Sequence, residues 1–235
     1  MRWMILLWAA VGFAADGPEP IPGRVPLQTG FLVINGVYNT ELTAPLDILQ
    51  HSVFREDKQY FRTFLVSPDG KPIKTVEGLT IQADYSFANC PKLDVLVIPS
   101  TETSMNKDLE DGPYKSFVAA RVDEAAVVIT LCDGAFALGG SGRLDGRHAT
   151  TFPGDQQRFA EAFPKIQVHR DSLFVHHDKF ITSVGGARSF EPALFLAHHW
   201  FGEAYAKSLA GGLVIEWDLA RIAHKSFGKL PPRPR

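Results

Sequence analysis

"AAVVITLCDGAFALGGSGRLDGRHATTFPG", from Ala125 to Gly154, holds the bend on which the fold reading rests. Val127 to Thr130 are all β-branched, so the backbone there favours a pleated, buried strand. The run ends at Leu131-Cys132-Asp133-Gly134, and a Gly/Ala-rich helical pattern follows to about Gly142. A strand apolar on both faces and followed at once by a helix belongs to a parallel sheet covered on both sides.

Cys132 is one of only two cysteines in the chain, and it falls at that bend. A thiol at the start of a helix meets backbone N–H groups and the positive end of the dipole, which favour its thiolate. Gly134 leaves room for a sharp turn of the nucleophile-elbow kind. Cysteine is also among the most buried residue types, so Cys132 fits equally as a small core hydrophobe. Position alone leaves both readings open.

Outward from this stretch the chain alternates strand and helix patterns. "FLVIN" (31–35), "FRTFLVS" (61–67) and "LDVLVIPS" (93–100) read as strands. "ELTAPLDILQHS" (41–52), "YKSFVAARVD" (114–123) and "DQQRFAEAF" (155–163) have helical spacing. "PIKTVEGLTIQADYSF" (72–87) reads as a hairpin-like excursion around Glu77-Gly78, and "HATTF" (148–152) as a short strand. "SLFVHHDKFITSVG" (172–185) predicts two short strands joined at His177-Asp178, and 189–213 predicts two helices with Ser189 as N-cap. The expectation is one α/β domain over 30–220, with a mostly parallel sheet and helices on both faces. A Pro/Gly-rich leader (16–29) precedes it and a tail (221–235) follows it.

A chain of 235 residues can bury a core without disulfide or metal staples. Its net charge of −2 gives no basic excess for nucleic acid or an anionic membrane. The histidines form no His-Glu-x-x-His and the cysteines no Cys-x-x-Cys, so no metal site is expected. In His176-His177 and His198-His199, neighbours point different ways and read as ordinary strand and helix residues. "MRWMILLWAAVGFAA" (1–15) reads as a secretory signal peptide, which places the mature protein in the periplasm or outside the cell. Its apolar run is shorter than the roughly 20 residues that span a bilayer, so no stable span remains after cleavage. Retention as a short N-terminal anchor is the alternative. In an oxidising compartment two free thiols can pair, and the sequence leaves open whether Cys90 and Cys132 do.

Ligands of open α/β sheets bind outside the carboxyl ends of the strands. Besides Cys132, two features fall there. Glu41 opens the helix after the first strand, either as a carboxyl group beside the thiol or as a charge complementing the helix dipole. "PSTET" (99–103) follows the third core strand, where free N–H groups could face the sulfur.

Together these motifs resemble the ThiJ/PfpI family, within the class I glutamine amidotransferase-like superfamily. Cys132-Asp133-Gly134, then Leu138 and "SGRLDGRHATT" (141–151), is similar to the family's Cys-x-Gly elbow and its Gly-Leu-Leu-x-Gly-Arg-x-Ala-Thr-Thr continuation. Glu41, four residues before Pro45, matches the acidic residue that hydrogen-bonds the nucleophile. "VLVIPS" (95–100) matches the strand carrying a backbone oxyanion contact, and 180–202 matches the closing strand, glycine turn and helix. The resemblance implies a flavodoxin-like three-layer sandwich acting on a small molecule, without a cofactor, in a family whose members commonly form homodimers. It implies a nucleophilic Cys132 oriented by Glu41, with the N–H groups of Asp133 and Thr101 holding developing negative charge. Gly134 and Phe152 would border the substrate, and Arg188 would meet an anionic group or stay a surface residue.

The nearest branch of the family holds isocyanide hydratases and the amidase-like half of AraC-type regulators. Those regulators add a helix-turn-helix module, for which the stretch after Trp217 leaves no room, so no nucleic-acid partner is expected. Three positions depart from the family. Phe152 stands where many relatives carry a histidine, Asp133 where the isocyanide hydratase pattern has threonine, and Ser100-Thr101 where Gly-Gly is usual. Without that histidine, Glu41 or Asp133 must do the acid–base work. Two readings follow: a cysteine-dependent hydrolase, hydratase or lyase acting on a small carbonyl, amide or isocyanide, or a non-catalytic ligand-binding or cysteine-redox module.

Overall fold

The computed structural model describes residues 25–55 and 59–235. The segment read as a signal peptide and most of the leader lie outside the described residues. β1 (Leu27–Leu32) leads to α1 (Asn39–Gln50), the short α2 (Ser52–Arg55) and β2 (Phe61–Ser67). The excursion at 72–87 supplies an antiparallel pair, β3 (Ile73–Lys74) and β4 (Thr80–Ile81), then β5 (Tyr85–Ser86). β6 (Val95–Ile98), α3 (Lys107–Glu110), α4 (Gly112–Glu124), β7 (Val127–Leu131) and α5 (Gly134–Gly140) form the middle of the chain. A side ladder of β8 (His148–Ala149) and β9 (Gln167–Val168) flanks α6 (Gln156–Ala162). β10 (Phe174–His177), β11 (Phe180–Ser183), α7 (Phe190–Phe201), α8 (Glu203–Gly212) and β12 (His224–Phe227) close it.

Eight of these strands make one sheet in the order β12-β10-β11-β7-β6-β1-β2-β5, parallel throughout except for the β10–β11 hairpin. Alternation along β7 explains the two cores. Val127, Ile129 and Leu131 pack into the layer of α1, α7 and α8, whereas Val128 faces the layer of α3 to α6. Strand order reverses between β1 and β6, which is the crevice where such sheets bind ligands.

Two boundaries differ from the sequence expectation. β1 begins at Leu27, inside the segment assigned to the leader, because its polar residues are paired. The Leu27 N–H donates to the Tyr60 carbonyl (2.8 Å), and the Gln28 N–H to the Asp94 carboxylate (2.8 Å). At the other end, His224–Phe227 lies within the segment set aside as a tail, yet it is the edge strand β12, parallel to β10. Its hydrophobicity is weak, and its place depends on partners far away in sequence. Both cysteines are free, and Cys90 precedes β6 at the amino end of the sheet, away from Cys132.

Candidate functional site

Four strand ends meet at the carboxyl edge: β1 with Glu41 on the following helix, β6 with Ser100, β7 with Cys132, and β11 with Gly185 and Gly186. Cys132 adopts φ of 51°, a left-handed conformation unusual for a side-chain-bearing residue. Its N–H still donates to the Ser183 carbonyl (3.0 Å), so the β7–β11 ladder runs on into the turn and holds the strained backbone in place. Two glycines make the bend possible. A Cβ on Gly134 would lie 2.2 Å from the Ile98 carbonyl oxygen, and one on Gly185 would lie 2.4 Å from the Cys132 Cβ. Gly134 therefore serves the close approach of α5 to β6.

The sulfur sits in an acidic, dehydrated setting. Burial pushes the Cys132 thiol well above its ordinary range, and the nearby carboxylates of Glu41 and Asp133 push it further. Hydrogen bonds from the Ser100 hydroxyl and the Asp133 N–H act in the opposite direction but do not prevail. The helix-terminus effect expected from sequence is thus outweighed, because α5 is only seven residues long and the thiol is buried beside acidic groups.

Glu41 is buried, and its carboxylate accepts three hydrogen bonds: the Ser100 N–H (2.9 Å) and Ser100 O–H (2.5 Å) on Oε2, and the Gly186 N–H (3.3 Å) on Oε1. The family resemblance implies a direct bond from this carboxylate to the sulfur. Here the carboxylate is taken up by Ser100 and the Gly186 N–H. Asp133 points elsewhere. The Thr151 hydroxyl lies 2.8 Å from its Oδ1 and 2.9 Å from the Cys132 carbonyl oxygen. Burial first, then the neighbouring acids Asp155 and Glu41, raise the Asp133 carboxyl to about 7, although the Thr151 bond opposes them. The single Thr151 proton cannot serve both acceptors at once. A protonated Asp133 donating to Thr151, which donates to the Cys132 carbonyl, satisfies them all.

The other expected residues fall outside this constellation. The Thr101 N–H, assigned an oxyanion role, donates to the Ser104 hydroxyl (2.8 Å), while its own hydroxyl donates to Asp108. Both bonds form because the loop after β6 turns back on itself towards α3. Phe152 is largely exposed, and its ring lies against Gly154. Arg188 is half exposed and pairs with Glu191 (3.0 Å) at the start of α7.

Two residues of the site were given no role from sequence. Ser100 is one, and its signal was the loss of the usual glycine at the end of β6. Tyr38 is the other, immediately before α1. Its phenol pKa is raised, first by burial and then by the nearby charges of Cys132, Glu41, Glu102 and Asp133. The described residues contain no group of three or more His, Cys, Asp or Glu side chains arranged to hold a metal ion. Among them no helix is long and apolar enough to cross a membrane.

The profile of the DJ-1/PfpI family matches residues 29–197, which include the elbow, the Glu41 helix and the closing glycines. The chain belongs to the DJ-1/PfpI family. An isonitrile hydratase of Pseudomonas putida is 33% identical over 125 residues, covering 53% of this chain and 52% of that protein. The HTH-type transcriptional regulator GbdR of Pseudomonas aeruginosa is 22% identical over 209 residues, covering 88% of this chain and 54% of that protein. The chain thus spans about half the length of these two curated relatives. Among solved structures, a ThiJ/PfpI family protein from Pseudomonas syringae superposes with a TM-score of 0.73 at 22% identity, covering 89% of this chain and 84% of that one. An AraC family transcriptional regulator from Pseudomonas putida gives 0.68 at 21% identity, over 80% and 100% of the two chains. The DJ-1/PfpI fold is thus shared by an isonitrile hydratase and by regulators, and the chemistry has to be read from the site.

Proposed function

We propose that this DJ-1/PfpI protein is a cysteine-dependent hydrolase, hydratase or lyase acting on a small carbonyl, amide or isocyanide compound. The observation that carries this reading is a strained, glycine-framed Cys132 at the same sheet edge as a buried carboxylate with three hydrogen bonds. Strain at a single nucleophilic position, fixed by packing from two strands, is what nucleophilic catalysis requires of its scaffold. The sulfur attacks the electrophilic carbon as its proton leaves, because a thiol in this setting does not rest as a thiolate. Glu41 receives that proton and later returns it to the product. The Asp133 N–H is the backbone donor beside the reacting atoms. With Phe152 in place of histidine and turned to solvent, no imidazole is needed for this cycle.

The test is turnover of a panel of isocyanides, amides and α-oxoaldehydes by the full chain beside Cys132→Ser. Turnover of one class that disappears in the variant supports the proposal. Turnover that survives the substitution overturns the cysteine mechanism. Binding without turnover, with Cys132 oxidised by mild peroxide, would favour the redox or ligand-binding reading. We also propose export directed by residues 1–15, which is supported by their sequence pattern. A product isolated from cells with Met1 intact would count against cleavage.

A further inference from the structure

We infer that Thr151 is a positioning residue for Cys132, and that Asp133 decides through it how firmly the nucleophile is held. The inference rests on the reading of Cys132 as nucleophile and deepens it. The Thr151 hydroxyl is buried, 2.8 Å from Oδ1 of Asp133 and 2.9 Å from the Cys132 carbonyl oxygen. It has one proton, and a carbonyl can only accept. With Asp133 neutral, its carboxyl donates to Thr151 and Thr151 donates to the carbonyl, so both contacts are hydrogen bonds. With Asp133 ionised, carboxylate and carbonyl compete for one proton, and the charged acceptor takes it. Of the donors on the Cys132 carbonyl, the Ala135 N–H at 3.3 Å then remains.

The backbone that this hydroxyl steadies is the strained one. Cys132 has φ of 51°, and its N–H is tied to β11 through the Ser183 carbonyl (3.0 Å). Thr151 supplies the matching tie on the carbonyl side, since the Thr150 N–H beside it donates to the Thr182 hydroxyl of β11 (2.9 Å). From α6, the Gln156 amide donates to the Thr150 hydroxyl (3.1 Å) and to the Thr151 carbonyl (3.4 Å). Both backbone polar groups of the nucleophile are thus referred to one strand, and of these ties the Thr151–Asp133 link is the one that titrates. A left-handed conformation persists only where its surroundings over-determine it, so loss of one tie lets the sulfur shift. The titratable groups around Asp133 are Asp155 before α6, Glu41 on α1, the Cys132 thiol and the Tyr38 phenol. All four are acids, so their charged forms and burial both oppose ionisation of the Asp133 carboxyl, which is raised to about 7. Asp133 stands where the isocyanide hydratase pattern has threonine, which does not ionise, so the proton-dependent link is a property of this chain.

The probe is iodoacetamide, with modification of Cys132 followed by mass spectrometry of the full chain from about pH 5 to about pH 9, on both sides of the Asp133 value. A thiol below its pKa and otherwise undisturbed alkylates about tenfold faster per pH unit. The native protein should fall short of that slope by about tenfold in all as Asp133 ionises. Asp133→Asn, whose amide donates to Thr151 at every pH, should follow the undisturbed slope throughout. Thr151→Val, which keeps the shape and removes the hydroxyl, should alkylate about tenfold more slowly than the native protein on the acid side. Asp133 is neutral there, so its charge cannot account for that loss. Thr151→Ser, which restores the hydroxyl, should follow the native profile within about threefold. A native acid-side rate in Thr151→Val, or a native profile that keeps the full slope, would overturn the inference. If near-UV circular dichroism shows Thr151→Val unfolded, an Asp133→Asn profile that superposes on the native one overturns it instead. A protein that turns over none of the panel yet shows this dependence loses the proposed function and keeps the role of Thr151. Cys132-dependent turnover beside a native acid-side rate in Thr151→Val discards the role of Thr151 alone.

Discussion

The two ends of the sheet carry opposite electrostatics. At the carboxyl edge a thiol is surrounded by Glu41, Asp133 and their hydroxyl partners. At the far end, where β10 runs back against β11, three histidines converge on the last strand. His148 stacks on Phe227 with ring centroids 3.6 Å apart and planes 6° from parallel. Its Nδ1 lies 2.7 Å from His169 Nε2, and its backbone N–H donates to His177 Nδ1 (3.0 Å). Lys225, paired with Asp171, adds a positive charge beside His169, while Asp178 lies 3.7 Å from both His177 and Arg147. Burial leads at both ends, joined by acidic neighbours at one and cationic neighbours at the other, so charge is resisted at both. Burial and their cationic neighbours lower the pKa values of His148 and His169, just as burial and nearby acids raise those of Asp133 and Cys132. One end favours the protonated acid and the other the neutral imidazole.

The comparison breaks most easily at the elbow itself. Gly134→Ala should destabilise the fold by about 3 kcal/mol or more, or prevent folding, because the added methyl meets a carbonyl oxygen of β6 that cannot move without its ladder. Urea unfolding measures this, and a change below 1 kcal/mol, about the ordinary surface range, would show that the bend is looser than its geometry.

Smaller and pH-dependent is the effect at Asp133. With its folded pKa raised from 3.8 to about 7, the neutral carboxyl contributes stability that is complete at acid pH and declines as pH rises through that window. Asp133→Asn removes the titration. The variant should therefore gain on the native protein as pH rises from acid to neutral, by on the order of 1 kcal/mol at the upper end. A difference that stays flat with pH would place the titration elsewhere.

The smallest effect belongs to the histidines, which are partly exposed. Their lowered folded pKa values give stability that is complete above the ordinary histidine value, about 6.5, and is lost as pH falls below it. His148→Phe keeps the stack on Phe227 and removes one proton site. Its melting temperature should fall less steeply than the native protein's between neutral and mildly acid pH. An unchanged slope would mean that the cluster around β12 does not sense protons.

The two ends also differ in how much of them could be read from the chain. The elbow is local. β-branched residues, Cys132 and Gly134 follow one another, so strand, turn and helix start are visible within a few residues, and β2 and the β10–β11 hairpin are legible for the same reason. The histidine end comes from β8, β9, β10 and β12, and each contributes a residue or two with no pattern of its own. His148, His169 and His177 are unremarkable apart, and β12 reads as tail until Phe227 finds its stack. Within the candidate site the same division holds. Cys132 and Glu41 could be named from their places at strand ends. Thr101, Phe152 and Arg188 had equally good positions, but the fold gave their donors and rings other partners: Ser104 and Asp108, Gly154, and Glu191.

The sequence by itself determined the α/β architecture, the family and the place of Cys132 at the bend after β7, because periodicity, glycine spacing and short motifs are properties of neighbouring residues. Tertiary structure alone decided what surrounds the sulfur. Which hydroxyl bonds Glu41, where Asp133 turns and which N–H groups remain free depend on hydrogen bonds between strand ends dozens of residues apart, such as the 59 residues that separate Glu41 from Ser100. Those bonds form only once the sheet has brought the ends together, so no local pattern records them.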